Sequence, residues 1–150
     1  MRRLVTFFGI FVLSFLSFAE ANAQDRKSVS GAEVTGIFRD ESNSELKISA
    51  LGKGKLRVAF SGVYEFKMAN GEDMANVGEA SGTATIVGDT ATFTPEETEQ
   101  CTITMKFLTR GRLKVTQAGT DAECGFGHNV NAEGLYKKIS SKKPKFEQTR

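Results

Sequence analysis

The residues best suited to chemistry gather near the C-terminal end of the chain. The stretch CGFGHNVNAEGLY, Cys124 to Tyr136, holds the single histidine, one of the two cysteines and three glycines. A cysteine near a histidine can work as a thiolate–imidazole pair, the ring taking the thiol proton while the sulfur attacks an electrophile. That chemistry needs a free thiol and a third group to orient the ring. Cys101 offers the thiol another fate, and glycines at 125 and 127 mark a reversing turn rather than a rigid frame. Zinc calls for about four donors. Asp121, Glu123 and His128 could approach an ion, but their spacing matches no ligand pattern and the soft donors run short. His128 is therefore read as a turn residue whose ring nitrogen makes a hydrogen bond.

Two other groups invite a chemical reading. Glu96, Glu97 and Glu99 could be imagined as the carboxylate pair of a glycosidase, yet such a pair must face across a cleft at a set distance. A contiguous acidic run beside Pro95 reads as a solvated loop. Gly52-Lys53-Gly54-Lys55 lacks the spacing of a phosphate-binding loop and reads as a turn. No catalytic residue, metal-ligand set or cofactor is assigned, and the expectation is a protein that is not an enzyme.

The elements that hold these residues begin after a targeting segment. Met1-Arg2-Arg3 is a short positive region, Leu4 to Ala19 is apolar, and Ala21-Asn22-Ala23 is a small-x-small cleavage site. That order describes a secretory signal peptide over residues 1–23. The apolar run falls short of the ~20 residues that cross a bilayer. A periplasmic or secreted protein with no membrane span is expected. With Arg2, Arg3 and Glu20 set aside, 18 basic and 17 acidic residues remain. A nucleic-acid partner would need a clear basic excess and is not expected. In an oxidising compartment two cysteines read first as a disulfide, Cys101–Cys124. Closing a loop of that length contributes about 3 kcal/mol in the chain-entropy model.

Residues 24–33 read as a linker and 34–139 as the folded domain. Val34 to Phe38 reads as the first strand. Leu56, Val58 and Phe60 alternate with Lys55, Arg57 and Ala59, a pattern that continues past Gly62 to Tyr64 and Phe66. Leu46 and Ile48 behave similarly. Ala80, Gly82, Ala84 and Ile86 share one face, Gly88-Asp89 turns the chain, and Ala91 and Phe93 resume the alternation. Cys101, Ile103, Met105 and Phe107 form the next strand, followed after Arg110-Gly111 by Leu113 and Val115. Val130 to Ile139 is the last. Folding the hairpin about Arg110-Gly111 brings Cys101 opposite the region of Thr120, so Cys124 can return to it through a short loop. Gly125 and Gly127 are expected to supply the positive φ values of that reversal.

About eight short strands joined by turns predict an all-β fold, a small antiparallel up-and-down barrel with one disulfide. The small face at Ala80, Gly82 and Ala84 either accepts large neighbours, with Phe60, Tyr64, Phe66, Phe93 and Phe107 to hand, or leaves room for a ligand. A packed interior is the expectation. The segment ANGEDMAN, Ala69 to Asn76, reads as a loop at the barrel mouth. Asn70, Glu72, Asp73, Met74 and, from the turn, His128 make up the candidate binding loop. Residues 140–150 form a polar basic tail, expected to be solvated and frayed. Its sharper reading is weak contact with an anionic surface.

TGIF, VGEASGTATIVGDTATF, CTITMKF, LKVTQAG and CGFGHNVNAEGLYKK together resemble small exported bacterial β-barrel proteins of unassigned function. These look like calycins, with a Gly-x-aromatic opening strand and a closing strand in a CGFGxNVxxxGxY motif. The resemblance covers most of Val34 to Lys138 and implies fold rather than activity. The function expected is binding in the cell envelope, to an unknown envelope protein. The alternatives are inhibition of a cell-wall hydrolase such as lysozyme and carriage of a small hydrophobic ligand.

Overall fold

A computed structural model describes residues 28–96 and 98–146 of the chain. The expected signal peptide and residues 24–27 of the expected linker lie outside the described residues, as do Glu97 and residues 147–150. Where the sequence alternates, the chain is extended. The strands are β1 (Gly36–Arg39), β2 (Glu45–Gly52), β3 (Lys55–Lys67), β4 (Asp73–Val87), β5 (Thr90–Phe93), β6 (Thr102–Phe107), β7 (Arg112–Ala118) and β8 (Gly134–Ser140). Each pairs antiparallel with the next, and β8 returns to β1, so the eight strands close as an up-and-down barrel. Within the barrel itself, closure removes the sheet edges that would otherwise be open to other chains.

The inward faces are those expected. Leu46, Ile48, Val58, Ile103, Met105 and Leu113 are buried, and each contributes ~1.5–3 kcal/mol of transfer free energy. Tyr136 is fully buried and its hydroxyl donates to Ala132 O at 3.0 Å. Burial, with Asp40 nearby, pushes its phenol pKa well above the ordinary range. The Lys53-Gly54, Gly88-Asp89 and Arg110-Gly111 turns fall where the sequence places them.

Four segments depart from expectation. Val34 and Thr35 are not strand but the end and C-cap of a one-turn helix, α1 (Gly31–Val34), which also takes up part of the expected linker. Ser30 and Glu33 form a reciprocal capping box there, and one turn is too short to show a helical period. Asp73–Asn76, expected as loop, belongs to β4, because Phe66 pairs with Met74 and Tyr64 with Asn76. Val130–Glu133, expected as strand, is not: β8 starts at Gly134, and Val130 and Ala132 are buried in the preceding connection. The tail is ordered further than a frayed end, since Pro144 is buried and the Phe146 ring lies 4.7 Å from the Arg57 guanidinium.

The seam between β1 and β8 is tight. A register shift falls between Ile37 and Phe38, and Gly36 adopts φ +151°. A Cβ there would stand 2.2 Å from Ser140 O. Beneath it, Lys138 Nζ donates to the carbonyls of Ala32, Glu33 and Thr35 and sits 5.1 Å from the Phe38 ring. The barrel floor is thereby tied to α1. Gly36→Ala is expected to cost about 2 kcal/mol or more, because both backbone conformation and space are lost. Urea unfolding of the protein measures this, and an unchanged midpoint would contradict the seam described.

Candidate functional site

In an up-and-down barrel the connections alternate between ends. Those at residues 40–44, 68–72, 94–101 and 119–133 share one end, hereafter the lid end. The 119–133 connection folds across this mouth. Cys101 and Cys124 are bonded, with Cα atoms 4.8 Å apart, and both are buried. The cysteine at 124 is therefore no nucleophile, and it fastens the lid to the residue preceding β6.

The lid closes on itself through its carboxylates. Glu123 accepts from Thr120 N at 2.7 Å and from Thr120 Oγ1 at 3.1 Å. Asp121 accepts from Asn129 N at 2.8 Å and Ala122 N at 2.9 Å. The reversal uses Gly125 (φ +74°) and Asn129 (φ +65°). Gly127, expected to take a positive φ, has a different use. It donates to Val77 O at 2.9 Å, and a Cβ on it would meet that oxygen at 2.8 Å. Asn76 Nδ2 donates to His128 O at 2.8 Å, and Gln117 Oε1 accepts from Ala132 N at 2.8 Å.

Beneath these bonds lies an apolar seat. Phe126 is 6% exposed, its ring centroid 5.0 Å from that of Phe60. A Cβ at Gly78 would stand 2.7 Å from Val130 Cγ1 and 2.9 Å from Phe126, and one at Gly62 would stand 2.6 Å from the Phe60 ring. Gly62 and Gly78 are cross-strand partners, so the two glycines make one shallow saddle that the lid fills. Further along the same face, Gly82 leaves room for Phe93, whose ring would lie 3.2 Å from an added Cβ. The small-residue face thus receives large neighbours, and the barrel interior is packed. A concavity of about 760 Å³ lies mainly over outward-facing residues of β2–β4, among them Lys47, Arg57, Ser61 and Thr83.

Beyond the saddle, β3 and β4 continue with no further strand paired to them among the described residues. The last β2–β3 pair is Glu45–Ser61, whereas β3 and β4 stay paired to Lys67–Asp73. The result is a two-stranded ribbon, 62–67 with 73–78, projecting past the lid. On the face continuous with the barrel interior, Tyr64 stacks on Phe66 at 6.2 Å, and Met74 lies opposite Phe66. On the other face Val63 pairs with Val77, which is 62% exposed. Tyr64 and Met74 are also exposed, at 41% and 48%. Lys67 and Asp73 pair near the tip, where Met68 N donates to Glu72 O and Asn70 Nδ2 to Glu72 Oε2.

The candidate binding residues thus divide. Asn70 and Glu72 form the tip turn, and Asp73 and Met74 lie on β4. His128 reaches the ribbon through its backbone, which accepts from Asn76. Its ring is exposed, with Nδ1 3.5 Å from Asp121 Oδ2. Among the described residues, no group of three or more His, Cys, Asp or Glu is placed to hold a metal ion. Tyr64 and Phe66, read from sequence as core fillers, stand outside the barrel. The signal for this was present in GVYEF and MANVG, where apolar residues occupy both faces while glycines leave the interior to another segment. Comparison with protein-family models, curated proteins and solved structures finds no match to this chain.

The lid has a built-in acid sensitivity. Hydrogen bonds from Asn129 and Ala122 backbone amides hold Asp121 below its ordinary pKa, and those from the Thr120 amide and hydroxyl do the same for Glu123. Lowered folded-state values mean a contribution that is complete above the ordinary carboxylate range, about 4, and lost as pH falls through the lowered values. The amides of Asn129 and Thr120 are expected to gain hydrogen-exchange rate, relative to core amides, as pH drops through that window. Equal relative protection at neutral and acid pH would contradict the carboxylate latch.

Proposed function

We propose that this chain is an exported, non-enzymatic binding protein of the cell envelope, periplasmic or secreted, that holds a macromolecular partner on its projecting ribbon. The observation that carries the reading is the exposure of Val63, Tyr64, Met74 and Val77 on a ribbon outside a filled barrel. Apolar side chains grouped at a protruding edge are a cost in water unless something covers them. Among the described residues, the ribbon also leaves one edge of β3 beyond Ser61 without a partner strand, a feature that extended segments use for pairing. The disulfide fits an oxidising compartment. Among the described residues no helix is long and apolar enough to cross a membrane. Kinship with calycin-like exported barrels fits the closed eight-stranded architecture. Carriage of a hydrophobic ligand is disfavoured by the packed interior, where Phe93 and Phe126 occupy the space above the glycines.

Site-specific photo-crosslinking in the native host tests this. A photoreactive phenylalanine analogue at Tyr64 or Val77 is expected to yield a discrete adduct, while the same group at Lys114, exposed on β7, yields none. Adducts from position 114 alone, or from no position, would contradict the ribbon as the binding surface.

A further inference from the structure

The net charge of +2 conceals two poles. At the lid end, the described residues of the four connections include no lysine or arginine. Every one of those connections carries acid: Asp40 and Glu41 in the first, Glu72 in the second, Glu96 and Glu99 in the third, Asp121, Glu123 and Glu133 in the fourth. The connections at the opposite end, with the segments before β1 and after β8, carry Lys53, Arg110, Lys142, Lys143 and Lys145 against Glu33 and Asp89. Strand residues near the lid end do not offset the acid. Arg39 pairs with Glu45 at 2.8 Å, and Lys67 with Asp73. The bonds that hold Asp121 and Glu123 come from backbone amides and a hydroxyl, which leave their negative charge in place.

The apolar ribbon belongs to this acidic end, its tip turn being one of the four connections. An interface with an apolar centre and a charged rim is the usual anatomy of protein recognition, the centre supplying affinity and the rim supplying orientation and rate. We infer that the ribbon's partner is a cationic protein surface, seating an apolar patch against Tyr64, Phe66 and Met74 beneath a basic rim that faces the acidic connections. This rests on the ribbon reading above and adds the partner's chemistry to it. Anionic lipid headgroups would be repelled by the same connections. Two copies meeting ribbon to ribbon would bring acid against acid and place Glu65 opposite Glu65 when Tyr64 faces Phe66, a like-charge pairing that destabilises a sheet.

The test uses the mature chain and two globular probes of similar size and opposite charge, c-type lysozyme and α-lactalbumin. Calorimetry is expected to show binding to lysozyme alone. The affinity should fall at least about tenfold as ionic strength rises from roughly 0.01 to 0.15 M, where screening shortens from ~30 to ~8 Å. Glu72→Lys with Glu99→Lys, and separately Tyr64→Ser with Met74→Ser, should each weaken binding about tenfold, with circular dichroism unchanged. Absence of lysozyme binding at low salt, equal binding of α-lactalbumin, or unaltered binding by the lysine variant would overturn the inference. So would binding to phosphatidylglycerol vesicles through the ribbon, or salt-sensitive self-association of the chain alone. If ribbon adducts form in the host but lysozyme is not bound, the cationic partner falls and the ribbon reading stands. If the lysine variant loses lysozyme while the serine variant keeps it, the ribbon reading falls.

Discussion

A contact with no room for a methyl group organises the lid end. Val130 and Phe126 press onto Gly78, and the bond from Cys124 to Cys101 keeps them there. The disulfide alone would anchor a loop at one point. The glycines alone would leave a groove in the sheet and expose the Phe60 ring. Together they convert a 15-residue connection, 119–133, into a packed lid, with Asp121 and Glu123 tying its turns. The entropy removed by the cross-link, about 3 kcal/mol in the chain-entropy model, is of the same order as burying the Phe126 ring.

That contact decides what the rest of the molecule can do. With Phe126 and Phe93 filling the glycine and alanine face, the interior is packed. With the lid resting on Gly62 and Gly78, the ribbon beyond them has a rigid base. Gly127 and Asn76 bind the lid to the ribbon by backbone and amide hydrogen bonds, so the two form one surface rather than two mobile loops. Apolar side chains that would have lined the mouth of a hollow barrel stand outside it instead. The distribution of acid around them turns a nearly neutral chain into a polar object, visible only when the order of the strands assigns each connection to an end.

Much of this was legible in the sequence, and the failures share a cause. Period-two patterning at Leu56–Phe60 and Ile103–Phe107 reports a half-buried strand directly, and the turn residues between strands report their own conformations. The pairing of Cys101 with Cys124 followed from compartment and parity. What could not be read were features that depend on a distant partner. Asp73–Asn76 looks like loop until Phe66 and Tyr64 pair across from it. Val130 and Ala132 look like strand because they are apolar, yet Val130 is buried over Gly62 and Gly78, and Ala132 is held by the side chains of Gln117 and Tyr136 rather than by strand pairing. Gly127 was read for its backbone freedom, whereas its lack of a side chain is what brings the lid against Val77. Phe146, one aromatic in a basic tail, found Arg57 on a strand some ninety residues earlier.

The most direct measurement of the central claim is hydrogen exchange followed by mass spectrometry on the protein, with the Cys101–Cys124 bond intact and after its reduction. If lid and ribbon base are held by that bond acting with the glycine saddle, reduction will release protection in 119–133 and around Gly62 and Gly78. Strands β2, β6 and β7 will keep theirs longer. Protection in 119–133 that is the same in both forms would contradict the account, because the lid would then be held by something other than the staple.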